Sequence, residues 1–496
     1  MTEAAQDAQE SVPAGEGAGR HRRAIERHSI DWVPLTERHG RTSSVGAIWF
    51  VGSLNLTGFA TGVVTLSMGA SLVWTVVATV LGSLFGTFFM AFHSAQGPQL
   101  GLPQLVQSRP QFGYIGAAVT VWVFALVNYI GYNTSDALLS GDAMNALFAI
   151  PNGLGYALSA AVATVIALFG YRWIHAVNKW LTWPFVVIMA LVSGAALFGG
   201  GLPDGAWTPG PLDLTAFMLV FVFVAGFQLG WAPYVSDYSR YLRPDIPVRS
   251  TFWWTYLPSA ISGIWVFVLG AVVSAAAPPG ATPVAALKLA ADRLVPGFGV
   301  LAVAALLVGL LSIMAINQYG GSLTMISIVD SFRPVRPTRT IRAMTIAVML
   351  IAVGSIANLV GVEQFNWFYA NVVVILTYLF IPWTAINLVD YFFVRRGQYV
   401  VREIFNPRGI YGRWGWRGNL AYLIGLAAMA PFMVIVGLYT GPIAAAAGGV
   451  DCSLLVGLPV SGGLYLIFAR SLDLATERRL VQEEGLLTPH REEARP

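Results

Sequence analysis

The chain has 496 residues, 56% of them hydrophobic and 11% charged, with a mean hydropathy of +0.65, against about 25% charged in an ordinary soluble domain. That composition excludes a water-soluble globular protein and predicts an all-α polytopic membrane protein. A single cysteine, Cys452, excludes an intrachain disulfide, a cysteine zinc cluster and an iron–sulfur centre. The formal charge of +4 implies no nucleic-acid partner, because the basic residues sit at membrane edges rather than on one face.

In chain order, Met1 to Gly19 is acidic, small and polar, and reads as part of a disordered cytoplasmic tail covering 1–43, with no cleavable signal peptide expected. Apolar segments follow at 44–67, 70–94, 113–149, 154–170, 181–200, 214–236, 251–277, 297–328, 341–361, 366–394, 419–442 and 449–469. These are twelve spans. Segment 113–149 is too long for one simple crossing and is expected to project from the bilayer or continue as a surface helix.

Loop charge sets the expected orientation, since cytoplasmic loops retain Lys and Arg. The amino-terminal tail carries six arginines from Arg20 to Arg41, and alternate loops carry Arg109, Arg172 with Lys179, Arg240 to Arg249, Arg333 to Arg342 and Arg395 to Arg417. The opposite loops hold mainly Asp142, Asp204, Asp213, Glu363 and Asp451, with Lys288 and Arg293 in the 278–296 connection. Both termini are therefore expected in the cytoplasm. The tail from Asp473 to Pro496 is expected to be disordered as well.

Two of the apolar segments are interrupted. WFVGSLNLTGFATG (Trp49 to Gly62) and FVAGFQLGWAPYVSD (Phe223 to Asp237) each place glycines and a carboxamide inside a membrane helix, and the second adds Pro233. Backbone released at membrane depth is tolerated where it lines a cavity. Interrupted helices at corresponding places in two halves point to an inverted-repeat transporter with its site at the midplane. The rival explanation is two ordinary helices with packing glycines.

Five ordered landmarks resemble the purine/cytosine permeases of the nucleobase:cation symporter-1 type. They are IERHSIDWVPLTER (Ile25 to Arg38), GPQLGLPQLVQSRPQFGYIG (Gly97 to Gly116), SDYSRYLRP (Ser236 to Pro244), NQYGGSL (Asn317 to Leu323) and DYFFVRRGQY (Asp390 to Tyr399). The resemblance implies a LeuT-like five-plus-five inverted repeat with two additional C-terminal helices, twelve transmembrane helices in all. Its halves would be 44–200 and 214–394, joined by a linker at 201–213; a cytoplasmic loop at 395–418, the last two helices within 419–469 and a cytoplasmic tail at 470–496 would follow. It also implies a re-entrant loop after the second span, symport driven by Na⁺ or H⁺, and alternating access by rocking of a four-helix bundle on a hash-like scaffold.

A planar base needs a ring to stack on and carboxamide or carboxylate groups to read its edge. Tyr132 and Asp136 lie four apart on one face of the third span, where the family carries an aromatic, usually Trp, and a carboxamide. Tyr keeps a stacking surface; an ionised Asp can only accept, so it favours an N–H edge or a proton. An ionisable residue inside a span is a functional hypothesis by default, against the alternative that Asp136 is hydrated near the outer edge. Asn128 and Asn133 are expected as helix-packing glue.

By resemblance, Asn317 reads the substrate edge and Ser312 supplies a hydroxyl to a sodium site, completed by backbone carbonyls around Phe50 and Ser53. Leu311 stands where sodium users tend to have a second hydroxyl, which leaves H⁺ open with Asp136 as a carrier. Ser53, Asn55 and Thr57 can line the first break. At the second, Gln228 or Trp231 faces the substrate, with Phe227 serving if the helix unwinds differently. An Asp237/Arg240 pair is expected at the inner end of the sixth span, Gly320 and Gly321 at close packing contacts, and Trp49, Trp122, Trp253 and Trp254 in the interfacial belt.

The expected function is a plasma-membrane importer of a small planar nitrogenous compound, a purine or cytosine-like base, with no cofactor and no partner beyond the bilayer. Hydantoin, allantoin, thiamine and vitamin B6-like compounds remain open because the Tyr132 and Asp136 departures fall on the selecting part of the site. An enzyme would need clustered ionisable groups and a channel would need a continuous polar pore; the sequence offers neither.

Overall fold

The computed structural model describes residues 31–487 except 170, 334, 336 and 337; the side chains of 168–182, 339 and 485–487 also lie outside the description. The expected tail at 1–19 falls outside it, and the expected loop carrying Arg172 and Lys179 is instead the first part of a helix, Tyr171–Phe198. Seven helices are long and apolar enough to cross a bilayer, nine when each of two bent pairs is taken as one span. The shorter apolar helices Asn152–Ala167 and Trp183–Phe198, with Trp416–Met429, bring the described spans to the expected twelve.

Both expected breaks are present. The first span consists of Thr42–Gly52 and Leu56–Ser67, bent by 52°. Asn55 bridges them: its Oδ1 accepts from the Gly58 amide at 2.8 Å and its Nδ2 donates to the Gly52 carbonyl at 2.8 Å. One carboxamide thus satisfies orphan groups at both broken ends. The sixth span runs as Leu214–Leu229, a 3₁₀ turn at Ala232–Tyr234 and a short helix Val235–Ser239. Pro233 sits inside that turn, where it contributes no amide to a continuing α-helix.

The first, second, sixth and seventh spans pack into one body, and the third, fourth, eighth and ninth into another. Gly62 of the first span and Gly270 of the seventh meet backbone to backbone, so a Cβ on either would collide with the opposite chain. The tenth span lies against both bodies and carries the last two. The third span is one helix, Tyr114–Phe148, of 35 residues. At 1.5 Å per residue it is about 50 Å long, so it projects beyond the bilayer as expected.

Several expectations need correction. The apolar segment at 419–442 is helical only over Trp416–Met429; a 3₁₀ turn at Ala430–Phe432 and an antiparallel hairpin pairing Val434 with Thr440 follow. Pro431 ends the helix, and Gly437 at φ 77° turns the hairpin. The stretch after Asp473 is a helix, Leu474–Leu487, turned by 85° from the twelfth span. Trp49 and Trp122 are buried rather than interfacial, whereas Trp253 and Trp254 are exposed as a belt requires. Arg109 is likewise no solvated loop cation: buried in the connection between the second and third spans, it lies 3.9 Å from the Tyr114 ring centroid and donates to the Ile404 carbonyl at 3.2 Å.

A buried ionic knot explains why the C-terminal helix docks. Arg395, its side chain 2% exposed, pairs with Asp390 and spans both carboxylate oxygens of Glu477 at 2.9 and 3.1 Å. Asp390 also accepts from Gln111, Tyr399 and Tyr465, and Glu477 from Tyr411. The knot joins the short helix Arg109–Phe112 between the second and third spans, the tenth and twelfth spans and the C-terminal helix.

Candidate substrate site

Between the first, third, sixth and eighth spans lies a cavity of about 140 Å³. Its floor is the third span, where Asn128, Tyr132 and Asp136 recur every four residues and so share one face. Asp136 is 1% exposed. Thr57 Oγ1, one residue past the start of the second half of the first span, donates to Asp136 Oδ1 at 2.6 Å; Asn317 Nδ2 reaches Oδ2 at 3.5 Å, the long limit of a hydrogen bond. The carboxylate therefore joins the two bodies of the fold at their seam, with one oxygen firmly held and the other loosely.

Aromatic rings form the remaining wall. Tyr132 stands edge-on to Phe227 and to Tyr369, each with centroids 6.0 Å apart, and Trp231 stands edge-on to Trp49 at 5.7 Å. Tyr234 ties the third span to the sixth, receiving a hydrogen bond from Asn128 Nδ2 and donating to the Ala125 carbonyl, both at 3.0 Å. From Asp136 the lining continues past Tyr129 and Gly320 to Leu323, Asp237 and Arg240. A smaller volume extends it past Leu105, Thr324 and Ser327. The cavity thus leads to the end that carries Arg240. On the other side of Asp136, the Thr57 bond and a 2.9 Å contact between the hydroxyls of Thr61 and Tyr369 close the two bodies together.

Of the residues singled out from sequence, Tyr132, Asp136, Asn317, Phe227, Trp231 and Asn55 line this cavity. Gln228 does not. It is fully buried between the sixth and seventh spans, with Nε2 on the Ser259 carbonyl at 3.3 Å; the helix ends at Leu229, so Trp231 does not share the face that an unbroken i,i+3 spacing would give it. Ser53 is buried at the break but outside the lining, and Asn55 has both ends of its carboxamide committed to the backbone.

Ser312 is buried and its hydroxyl oxygen has no hydrogen-bond partner among the described residues. In a continuous α-helix the Leu54 amide would close on the Phe50 carbonyl and the Ser53 amide on Trp49; here both turn to the Val51 carbonyl instead. The break therefore releases the Phe50 carbonyl. At the cavity end they share, Asp237 accepts the Gln104 amide at 2.9 Å and Arg240 reaches the Asp31 carbonyl at 3.4 Å. Gly320 packs on the Tyr129 ring and Gly321 on Met349, as close-packing glycines do. Tyr129, Tyr234 and Tyr238 also line the cavity and were missed from sequence. The signal for Tyr129 was its place one turn before Tyr132; Tyr234 and Tyr238 follow a break whose rotation the sequence does not encode.

No group of three or more potential metal-ligating side chains occurs among the described residues. The fold matches solved structures. The inward-facing conformation of Mhp1 superposes with a TM-score of 0.68 at 18% identity, covering 91% of this chain and 96% of that one. Mhp1, a nucleobase-cation-symport-1 family transporter, closed with bromovinylhydantoin bound, gives 0.65 at 16% identity, covering 92% and 99%. In sequence, the putative purine-cytosine permease YxlA of Bacillus subtilis is 35% identical over 450 residues, 90% of this chain and 96% of its own length. The purine-cytosine permease fcyB of Emericella nidulans is 26% identical over 89% of this chain and 88% of its own. A family model described as a permease for cytosine/purines, uracil, thiamine and allantoin matches residues 32–457, so nearly the whole bundle and both breaks fall within it. The chain belongs to that family, a multi-pass membrane permease and not an enzyme.

Proposed function

We propose that the protein is a secondary active symporter that carries a nucleobase, purine or cytosine-like, across the plasma membrane with Na⁺ or H⁺ by alternating access. The observation that supports this reading is one cavity, on two broken helices, that combines flat rings (Tyr132, Trp231, Phe227) with edge readers (Asp136, Asn317). A base can stack against the rings while its polar edge meets the carboxylate and carboxamide. The names of the relatives point the same way. With arginine-rich loops held in the cytoplasm, both termini are cytoplasmic and the cavity opens inward.

For the cation, the partnerless Ser312 hydroxyl and the released Phe50 carbonyl supply the hard oxygen donors that Na⁺ takes, and Asp136 offers a proton site. A vitamin B6-like substrate is the second reading: a vitamin B6 transporter of Saccharomyces cerevisiae is 22% identical over 47% of this chain, and Asp136 suits a protonated ring nitrogen. The test is uptake of radiolabelled bases and pyridoxine into proteoliposomes, with sodium and pH gradients imposed separately. Gradient-driven accumulation of a base is expected; accumulation of none sinks the reading.

A further inference from the structure

We infer that Asp136 makes proton coupling depend on the edge of the base it binds: a one-donor edge enters with a proton, and a two-donor edge enters without one. This inference rests on the nucleobase reading. It starts from the acceptor geometry. Thr57 already donates to Oδ1 at 2.6 Å, and Oδ2 has only the 3.5 Å approach of Asn317, so Oδ2 and the remaining lone pair of Oδ1 are open to a ligand in the cavity. Two adjacent carboxylate oxygens face two adjacent atoms on a base edge.

What those two atoms carry decides the proton count. An ionised carboxylate has acceptors only. Against an edge with two donors, an N–H beside an NH₂ as in isocytosine or guanine, both hydrogen bonds form. Against an edge with one donor beside a bare ring nitrogen, as in cytosine or adenine, one oxygen faces a lone pair. A buried acceptor without its donor costs about 1–3 kcal/mol. One proton from solution removes the conflict, forming an O–H···N or O···H–N⁺ bond between Asp136 and the ring nitrogen. No bond within the base changes, and the proton returns to solution when the base leaves.

The surroundings supply no other proton for this bond. Asp136 faces the hydroxyl of Thr57 from the first span and the carboxamide of Asn317 from the eighth. The phenols nearby are Tyr132 on its own helix and Tyr369 from the tenth span, the latter engaged with Thr61. Asp237, Tyr238 and Arg240 of the sixth span stand at the inner mouth with Tyr129 and Tyr234 between, and among the described residues no histidine or lysine lines the cavity.

Cytosine and isocytosine are isomers of equal size, so they isolate the edge. Their Kd values for the purified full-length protein are measured by radioligand binding between about pH 5 and 9. The cytosine Kd is expected to rise about tenfold per pH unit above the point where Asp136 loses its proton, while that of isocytosine stays level or falls. Asp136→Asn carries a donor beside an acceptor at every pH, as the protonated acid does; it is expected to bind cytosine with no pH dependence and isocytosine at least tenfold more weakly. Parallel pH profiles for the two isomers, flat profiles for both, or a cytosine slope that survives in Asp136→Asn overturn the inference while leaving the nucleobase reading standing. Binding of neither isomer nor of any other base overturns both.

Discussion

Asn317 and Tyr132 approach the cavity from different spans, one with an amide and the other with a ring, and their losses are expected to differ in kind. Asn317→Ala removes a single hydrogen bond to the base edge, worth about 1 kcal/mol, or roughly fivefold in Kd. Tyr132→Ala removes a stacking face and its packing on Phe227 and Tyr369, and is expected to cost at least tenfold. Binding measurements on protein of unchanged elution profile check both; unaltered affinity takes the residue out of the site. Where uptake is sodium-driven, Ser312→Ala is expected to raise the half-saturating sodium concentration at least tenfold. The face carrying Tyr132 and Asp136 was legible because a four-residue spacing fixes a helix face without reference to neighbours; that Asn128, expected as packing glue, continues it into the cavity was not. Gln228 against Trp231 was not, since the answer lies in a hydrogen bond to Ser259 on another helix and in where the sixth span unwinds.

Both breaks were readable as elements, since glycine, a carboxamide and proline within an apolar run leave few alternatives to an interrupted helix. The role of Asn55 as a two-sided brace was not, because it depends on which backbone groups the bend releases. Asn55→Ala is expected to cost about 1 kcal/mol through loss of the cap on Leu56–Ser67, read as a lowered Tm in detergent. Asn55→Asp keeps the acceptor for Gly58 but loses the donor to the Gly52 carbonyl and buries a carboxylate, so it is expected not to restore the Tm. The C-terminal helix escaped detection for a different reason: its charged residues look solvated in sequence, yet Glu477 is buried against Arg395. Arg395→Ala strands Asp390 and Glu477 without their cation, and about 3–5 kcal/mol of destabilisation is expected.

At the level of the whole molecule, two packed bodies meet along a seam that is closed at one side by Thr57 and Asp136 and open at the other beside Leu323, the side the proposed function places in the cytoplasm. Accessibility should follow that asymmetry. In a Cys452→Ser background, Leu323→Cys is expected to react with a membrane-impermeant maleimide added from the inner face and to be protected several-fold by a bound base. Equal labelling from both faces would contradict the inward opening. The twelve-span plan was visible in hydropathy alone; the state of the seam was not, because it is a relation between bodies that share no sequence signal.

The knot at Arg395 also has a meaning in time. Asp390 and Arg395 leave the ribosome together, but Glu477 emerges only after the last two spans have been made. Until then one edge of the guanidinium has no carboxylate to meet, and the short helix bonded through Gln111 lacks its full anchor. Glu477, made well after Gln111, Asp390 and Arg395, thus completes an anchor whose other members are already in place.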